Sequence, residues 1–200
     1  MADPVVTNIL KSGAITWLAP EGEAFPDETT VAAGADWGGN WERIGFTKEP
    51  LTLAYEDEEH NIEVEEFLAA VGRNTIGEKA MMETVLSELI GDYLKYALEG
   101  ALTTTAAGAS QKGFQELLVG NDSRRTVYAI GFEAIKYNST GVALPQRYGF
   151  WRCTLRLNGE LKFSRRDDDH TGIPLQAKAL ANTTTGRLIW TNLVTAPATS

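Results

Sequence analysis

Seven carboxylates fall within residues 56–66: Glu56, Asp57, Glu58, Glu59, Glu63, Glu65 and Glu66. Paired carboxylates are the apparatus of glycoside hydrolysis, where one protonates the leaving oxygen and the other attacks or activates water. That chemistry needs one carboxyl desolvated, so that its pKa rises toward the working pH. A run this dense is a surface field in which no carboxyl is singled out. The other candidates are weaker. Asp167, Asp168, Asp169 and His170 carry metal-ligand atoms. However, consecutive residues of an extended segment point to alternate sides, and the alternating aspartates of a calcium loop are missing. With Arg165 and Arg166 directly before it, the run reads as a solvated, zwitterionic loop. His60 and His170 share no ligand spacing. Cys153 lies on the apolar side of an alternating run and reads as a small core residue. Residues 108–113, Gly-Ala-Ser-Gln-Lys-Gly, miss the Gly-x-Ser-x-Gly nucleophile elbow by one position, and no phosphate-binding Gly-rich loop occurs. The sequence therefore predicts no catalytic residue, no metal and no cofactor.

Composition narrows the class. The 200 residues fit one domain with a real apolar core, and hydrophobic residues at 43% argue against wholesale disorder. A single cysteine excludes a disulfide-stapled scaffold. No run approaches the roughly 20 apolar residues of a membrane helix, so no membrane insertion is expected. The first ten residues lack a basic segment followed by an apolar one. Folding in a reducing cytoplasm is expected, and the Asn-x-Ser/Thr triplets at Asn121, Asn138 and Asn182 read as chance.

The formal net charge of −9 disfavours a phosphate-neutralising nucleic-acid binder. The charge is divided along the chain. Residues 1–100 hold 20 acidic and 6 basic side chains; residues 101–200 hold 7 acidic and 12 basic.

The elements that must carry these residues are mostly strands. Short alternating runs punctuated by Gly, Asn, Asp and Pro recur along the chain. Strands are expected at 14–19, 41–47, 51–56, 126–137, 148–157, 173–181 and 187–194. In the fifth, Trp151, Cys153, Leu155 and Leu157 should face one way and Phe150, Arg152, Thr154 and Arg156 the other. Asn158-Gly159 predicts a two-residue hairpin returning through Leu161 and Phe163. A long hairpin is expected from an extended stretch at 56–71, a turn at 72–77 and a return at 80–86. One helix is expected at about 88–99, striped by Leu89, Ile90, Tyr93, Leu94, Ala97 and Leu98, with Ser87 and Gly100 as caps. Gly91 should weaken it by about 1 kcal/mol relative to alanine. Residues 20–40 read as a long loop with Trp37 and Trp41 as docking anchors, and 101–111 as a flexible loop. The expected fold is mainly β: a single domain over 1–200, a β-sandwich or distorted barrel with one short flanking α-helix and a long projecting β-hairpin.

Period two along the acidic strand puts Asp57, Glu59, Asn61, Glu63 and Glu65 on one face. Like charges along a strand repel, and an ordinary solvated face would intersperse lysine. A wall past which a polyanion slides would not.

Residues 41–56, the acidic strand that follows, and the return from Met81 to Leu89 resemble the major tail tube protein of long-tailed (siphovirus-like) bacteriophages. So do the closing strands at 147–156, 159–163 and 173–181, the last ending in a small-residue run. The resemblance covers nearly the whole chain in order of elements, through diffuse patterns rather than one diagnostic motif. It implies homohexameric rings, hairpins joined edge to edge around a lumen, and rings stacked head to tail into a tube within the virion tail. The implied partners are further copies of the chain, the tape measure, and the tail terminator and tip proteins. Viral double-stranded DNA would pass through without specific binding. The family's acidic lumen transfers to Asp57, Glu59, Glu63, Glu65 and Glu83. The loop anchors Trp37 and Trp41, together with Arg124, Arg125, Arg152, Arg156, Arg165, Arg166 and Asp168, are the candidates for contacts between subunits or rings. The alternatives are another tube-forming or virion β protein, such as a type VI secretion-like tube or a capsid decoration, and last a β-barrel glycosidase.

Overall fold

Alternating apolar side chains in β-branched and aromatic-rich runs form strands because a pleated strand can bury one row of them at a time. The computed structural model describes residues 14–45, 47–62, 72–120, 125–161 and 172–196. In chain order these form β1 (Ile15–Pro20), β2 (Glu42–Arg43), β3 (Thr52–Ile62), β4 (Gly72–Leu86), α1 (Gly91–Leu98), β5 (Ala101–Thr105) and β6 (Phe114–Leu118). They continue with β7 (Val127–Tyr137), β8 (Ala143–Leu157), β9 (Ile173–Ala179) and β10 (Ile189–Leu193). The fold is mainly β with one short helix. Seven strands pair in the order β2-β1-β7-β8-β9-β4-β3, β10 adds to β8, and β5 pairs with β6 apart from them. The pairings are antiparallel.

The sheet curls over its own core. Leu18 of β1, Ile130 and Phe132 of β7, Phe150 and Leu155 of β8, Leu175 of β9 and Met82 of β4 belong to one buried cluster. Strands four places apart in the pairing order therefore meet across it. Ala97 of α1 joins the same cluster. Each large side chain buried there contributes about 1.5–3 kcal/mol.

A second apolar layer covers the opposite face of β1, β7 and β8. Trp17, Ala19, Trp37, Trp41 and Ala129 are buried together, with Phe25 and Val31 against them. Trp37 stacks on Trp17 at 5.6 Å between ring centroids. Phe25 stacks on Trp190 at 4.2 Å and meets Trp151 edge-on. All five tryptophans thus join one aromatic layer, bridged by the 20–40 loop. This corrects the expectation for Trp37 and Trp41. They are 5% and 7% exposed, so they anchor the loop to its own sheet and offer little surface to another subunit.

Several local expectations also change. β8 carries one extra residue where Tyr128 pairs with Cys153 and Ile130 with Phe150. A bulge of this kind shifts the alternation by one. Phe150 therefore shares the core with Cys153 and Leu155, while Trp151 turns to the aromatic layer. Residues 72–77 are no turn. Gly72 pairs with Ile62 and Gly77 with Glu58, so they begin β4; residues 63–71 lie outside the described residues. Residues 158–161 are not in a strand, so Asn158-Gly159 does not close a two-residue hairpin, and the expected return at Phe163 lies outside the described residues. The expected strand at 41–47 is reduced to β2 and an isolated bridge from Thr47 to Leu86.

The helix is shorter than its stripe. Ile90 is its N-cap, without a side-chain cap, and Glu99 rather than glycine takes the left-handed position. Leu89 and Ile90 lie outside it at 40% and 42% exposure. Gly100 is needed for a different reason: a Cβ there would stand 2.8 Å from the Leu118 carbonyl oxygen. The neighbouring segment is accordingly not a flexible loop. Residues 101–105 pair with 114–118 as a hairpin, Ala101 against Leu118 and Thr105 against Phe114. Asn138 and Asn182 each accept backbone N–H bonds two and more residues on, turn chemistry that accounts for both asparagines.

The aromatic layer rests on bare backbone. A Cβ on Gly131 would run into the Trp37 ring, and one on Gly149 into Phe25. Gly131→Ala should cost about 1–3 kcal/mol by overpacking, read as a lower midpoint in urea unfolding followed by tryptophan fluorescence. An unchanged midpoint would show that the loop does not press on the sheet.

Candidate functional site

The acidic run folds as one strand of a long arm. β3 and β4 pair from Thr52–Glu83 to Ile62–Gly72, and every residue of β3 is exposed. The base of β4 is different: Ala80, Met82, Thr84 and Leu86 are buried. Apolar alternation anchors the base, and its replacement by charge from Glu56 onward lets the rest project.

Pairing fixes two faces. On one, Leu53, Tyr55, Asp57, Glu59 and Asn61 stand with Met82, Ala80, Glu78, Thr75 and Arg73. At its base this is the core face, because it includes Ala80 and Met82. On the other, Thr52, Ala54, Glu56, Glu58 and His60 stand with Glu83, Met81, Lys79, Gly77 and Asn74. The extra residue at the bulge, Ile76, lies in β4, so β3 keeps its alternation. Glu83 is therefore on the opposite face from Asp57 and Glu59, and the five carboxylates expected to line one lumen do not share a face. The grouping fails because it was made without a register. Glu63 and Glu65 lie outside the described residues.

The two faces differ electrostatically. Asp57 sits directly opposite Glu78, a destabilising like-charge pair. Desolvation, then the hydrogen bond and charge of Glu78, holds the Tyr55 hydroxyl above its ordinary pKa. Arg73 lies 3.3 Å from Glu59, an exposed pair of small worth. On the other face Glu56 opposes Lys79. There a polar ladder crosses three strands: Arg156 donates to Gln176 at 2.5 Å, and Gln176 donates to Glu83. Lys178 follows on β9, paired with Met81.

The other expected contact residues fare as follows. Arg152 bonds Glu21 at 2.5 Å and the Ala181 carbonyl at 2.9 Å. Arg125 donates to the Leu155 carbonyl at 2.8 Å and lies 3.8 Å from Glu99. Together with Arg156, they are engaged within the chain. Arg124, Arg165, Arg166 and Asp168 fall outside the described residues. Cys153 is buried, and desolvation pushes its thiol up, as expected for a core residue. Among the described residues no group of three or more His, Cys, Asp or Glu could hold a metal ion, and no helix is long and apolar enough to cross a membrane.

Sequence reasoning missed the buried charge cluster under the loop. Arg147 and Glu133 oppose each other on β8 and β7, with side chains 0% and 1% exposed and 2.6 Å apart. Arg147 also bonds Glu28 at 2.8 Å and the Val31 carbonyl at 2.8 Å. Glu133 accepts the Gly34 N–H at 2.5 Å. Burial pushes the Glu28 carboxyl up, although Arg147 pulls it the other way. The one available signal was an Arg in a β8 run otherwise rich in buried residues. Its loop partners, more than a hundred residues away in sequence, left no local mark.

Two predictions follow from these environments. Arg147→Met strands Glu133 and frees the loop carbonyls, so it should cost about 3–5 kcal/mol and expose the 20–40 loop to limited proteolysis. Retained protease resistance at wild-type stability would contradict the clamp. Desolvation, then the Glu42 charge, pushes the Tyr96 hydroxyl from 10.0 up to about 12. Between those values the folded chain keeps a proton that the unfolded chain has lost. This contribution to stability is thus complete below about pH 10 and lost as pH rises through about 12. Denaturation midpoints across that range should fall less steeply for Tyr96→Phe than for wild type.

No protein-family model matches the chain, and no curated protein sequence matches it.

Proposed function

We propose that the chain is a structural virion protein, a phage tail tube subunit that assembles into stacked homohexameric rings around a channel for double-stranded DNA. The observation that carries this reading is the arm: an eleven-residue strand exposed along its whole length, standing last in the pairing order with an open edge among the described residues. A long exposed edge strand is a liability in a monomer. Closing several such sheets into a ring removes the edges, and head-to-tail stacking of one chain gives a filament. The resemblance in order of elements supports the same reading.

The arm's two faces constrain which side turns to the channel. A sheet that carries the domain core on one face can present only the other to a lumen. In this reading Glu56, Glu58 and Glu83 face the channel, among Lys79, Lys178 and Arg156. Asp57, Glu59 and Glu78 face the neighbouring subunit. On that face Glu56 opposes Lys79 and Arg156 donates to Gln176, so the channel wall of this reading is mixed in charge and is not the lysine-free face that the sequence suggested.

Negative-stain microscopy of the purified protein should show rings or short tubes, and a species monomeric at all concentrations would sink the proposal. Charge reversal tests the faces in phage carrying the altered subunit. Glu56→Lys with Glu58→Lys should leave assembly intact and lower infectivity on the order of tenfold or more, because a basic wall binds duplex phosphates. Asp57→Lys with Glu59→Lys should act first on ring formation. The reverse pattern would overturn the face assignment.

A further inference from the structure

Between the exit of the 20–40 loop and α1 lies a cleft of about 290 Å³, lined by Pro20, Asn40, Trp41, Glu42, Tyr96 and Tyr128 among others. It lies away from the projecting arm. Its walls come from four separate elements. β2 pairs with β1, placing Glu42 beside Leu18. β7 places Tyr128 opposite Pro20. α1 supplies Tyr96, whose ring meets that of Tyr128 at 5.5 Å and 85°. The Tyr96 hydroxyl donates to Glu42 at 3.4 Å.

This is the chemistry that recognises an organic cation. Aromatic faces attract a cation through their quadrupole, most strongly where water is excluded, and one carboxylate at the rim supplies the counter-charge. Tyr96 already takes a cation on its ring: Lys95 Nζ stands 5.7 Å from the centroid. The neighbouring charges reinforce this polarity. Glu42 and Asp92 act on the Tyr96 hydroxyl and Glu99 on that of Tyr128. Glu99 is shared with Arg125 at 3.8 Å, which leaves Glu42 as the carboxylate lining the cleft. The walls are held in place. Asn40 donates to Glu23 at 2.8 Å, and Trp41 Nε1 donates to the Ala24 carbonyl at 2.7 Å.

We propose that this cleft is a binding site for an alkylammonium or guanidinium group, with Tyr96 and Tyr128 as its aromatic walls and Glu42 as its counter-ion. The group comes either from a free amine or from a Lys or Arg side chain of a second copy of the chain. The site does not depend on the tube reading and stands or falls separately from it.

The test uses the full chain, with tetramethylammonium as the cation and tert-butanol as a neutral molecule of similar shape. Aromatic proton resonances of Tyr96 and Tyr128 are followed by NMR at constant ionic strength. Tetramethylammonium should give saturable shifts, and Glu42→Gln should weaken binding by about three- to tenfold. Tyr96→Leu should abolish the shifts at Tyr128. Should that variant fail to fold, the Glu42→Gln comparison and the neutral probe decide alone. Equal shifts with tert-butanol, or an unchanged affinity in Glu42→Gln, would overturn the proposal by showing an apolar cleft without charge selectivity. Sedimentation separates the two sources. If a second copy supplies the cation, Glu42→Gln lowers self-association and added tetramethylammonium competes with it. If saturable binding persists while self-association is unchanged by either, the site takes a free amine.

Discussion

A strand that is apolar on both sides must be covered on both sides, and β1 is such a strand. Leu18 faces the main core while Trp17 and Ala19 face the aromatic layer. The curl of the sheet covers the first side. Among the described residues the 20–40 loop and Trp41 cover the second, and a loop brings polar backbone that must find partners. The Arg147–Glu133 pair supplies several of them. One guanidinium satisfies a β7 carboxylate, a loop carboxylate and the Val31 carbonyl, and Glu133 takes the Gly34 N–H. The aromatic layer and the buried ion pair thus act as one clamp.

This clamp separates a finished domain from an unfinished one. The curled sheet buries its core, closes its loop and caps one side with α1. The β3–β4 arm shares a strand with that domain but little of its burial. Met82 and Ala80 hold its root, and beyond Glu56 the arm exposes charge on both faces. In the proposed reading, an arm built this way gains its missing contacts from outside the subunit. That division is the physical ground for reading the chain as an assembly protein.

The mainly β class, the single helix, the projecting arm and the buried Cys153 were legible in the sequence, because each rests on alternation or a stripe over many residues. What was not legible turns on single residues. One extra residue in β8 moved Phe150 into the core beside Cys153 and turned Trp151 out of it. Glycines at 72 and 77 looked like a turn, yet both lie in β4. Trp37 and Trp41 stood in a polar, glycine-rich loop and so resembled exposed anchors. Their partners, Trp17 and Phe25, become visible only when the loop folds back. Glu83 parted from Asp57 and Glu59 for the same reason: a face is a property of register, and register depends on pairing partners far along the chain.

The central claim is that the open edge of β3 is filled by another copy of the chain. Hydrogen exchange of the β3 amides tests it most directly, measured on dilute protein and on concentrated, assembled protein. The N–H groups of β3 that point away from β4 should exchange rapidly when dilute and become strongly protected on assembly, while the core strands β7 and β8 stay protected in both. Assemblies in which those β3 amides exchange as fast as in dilute protein would contradict it.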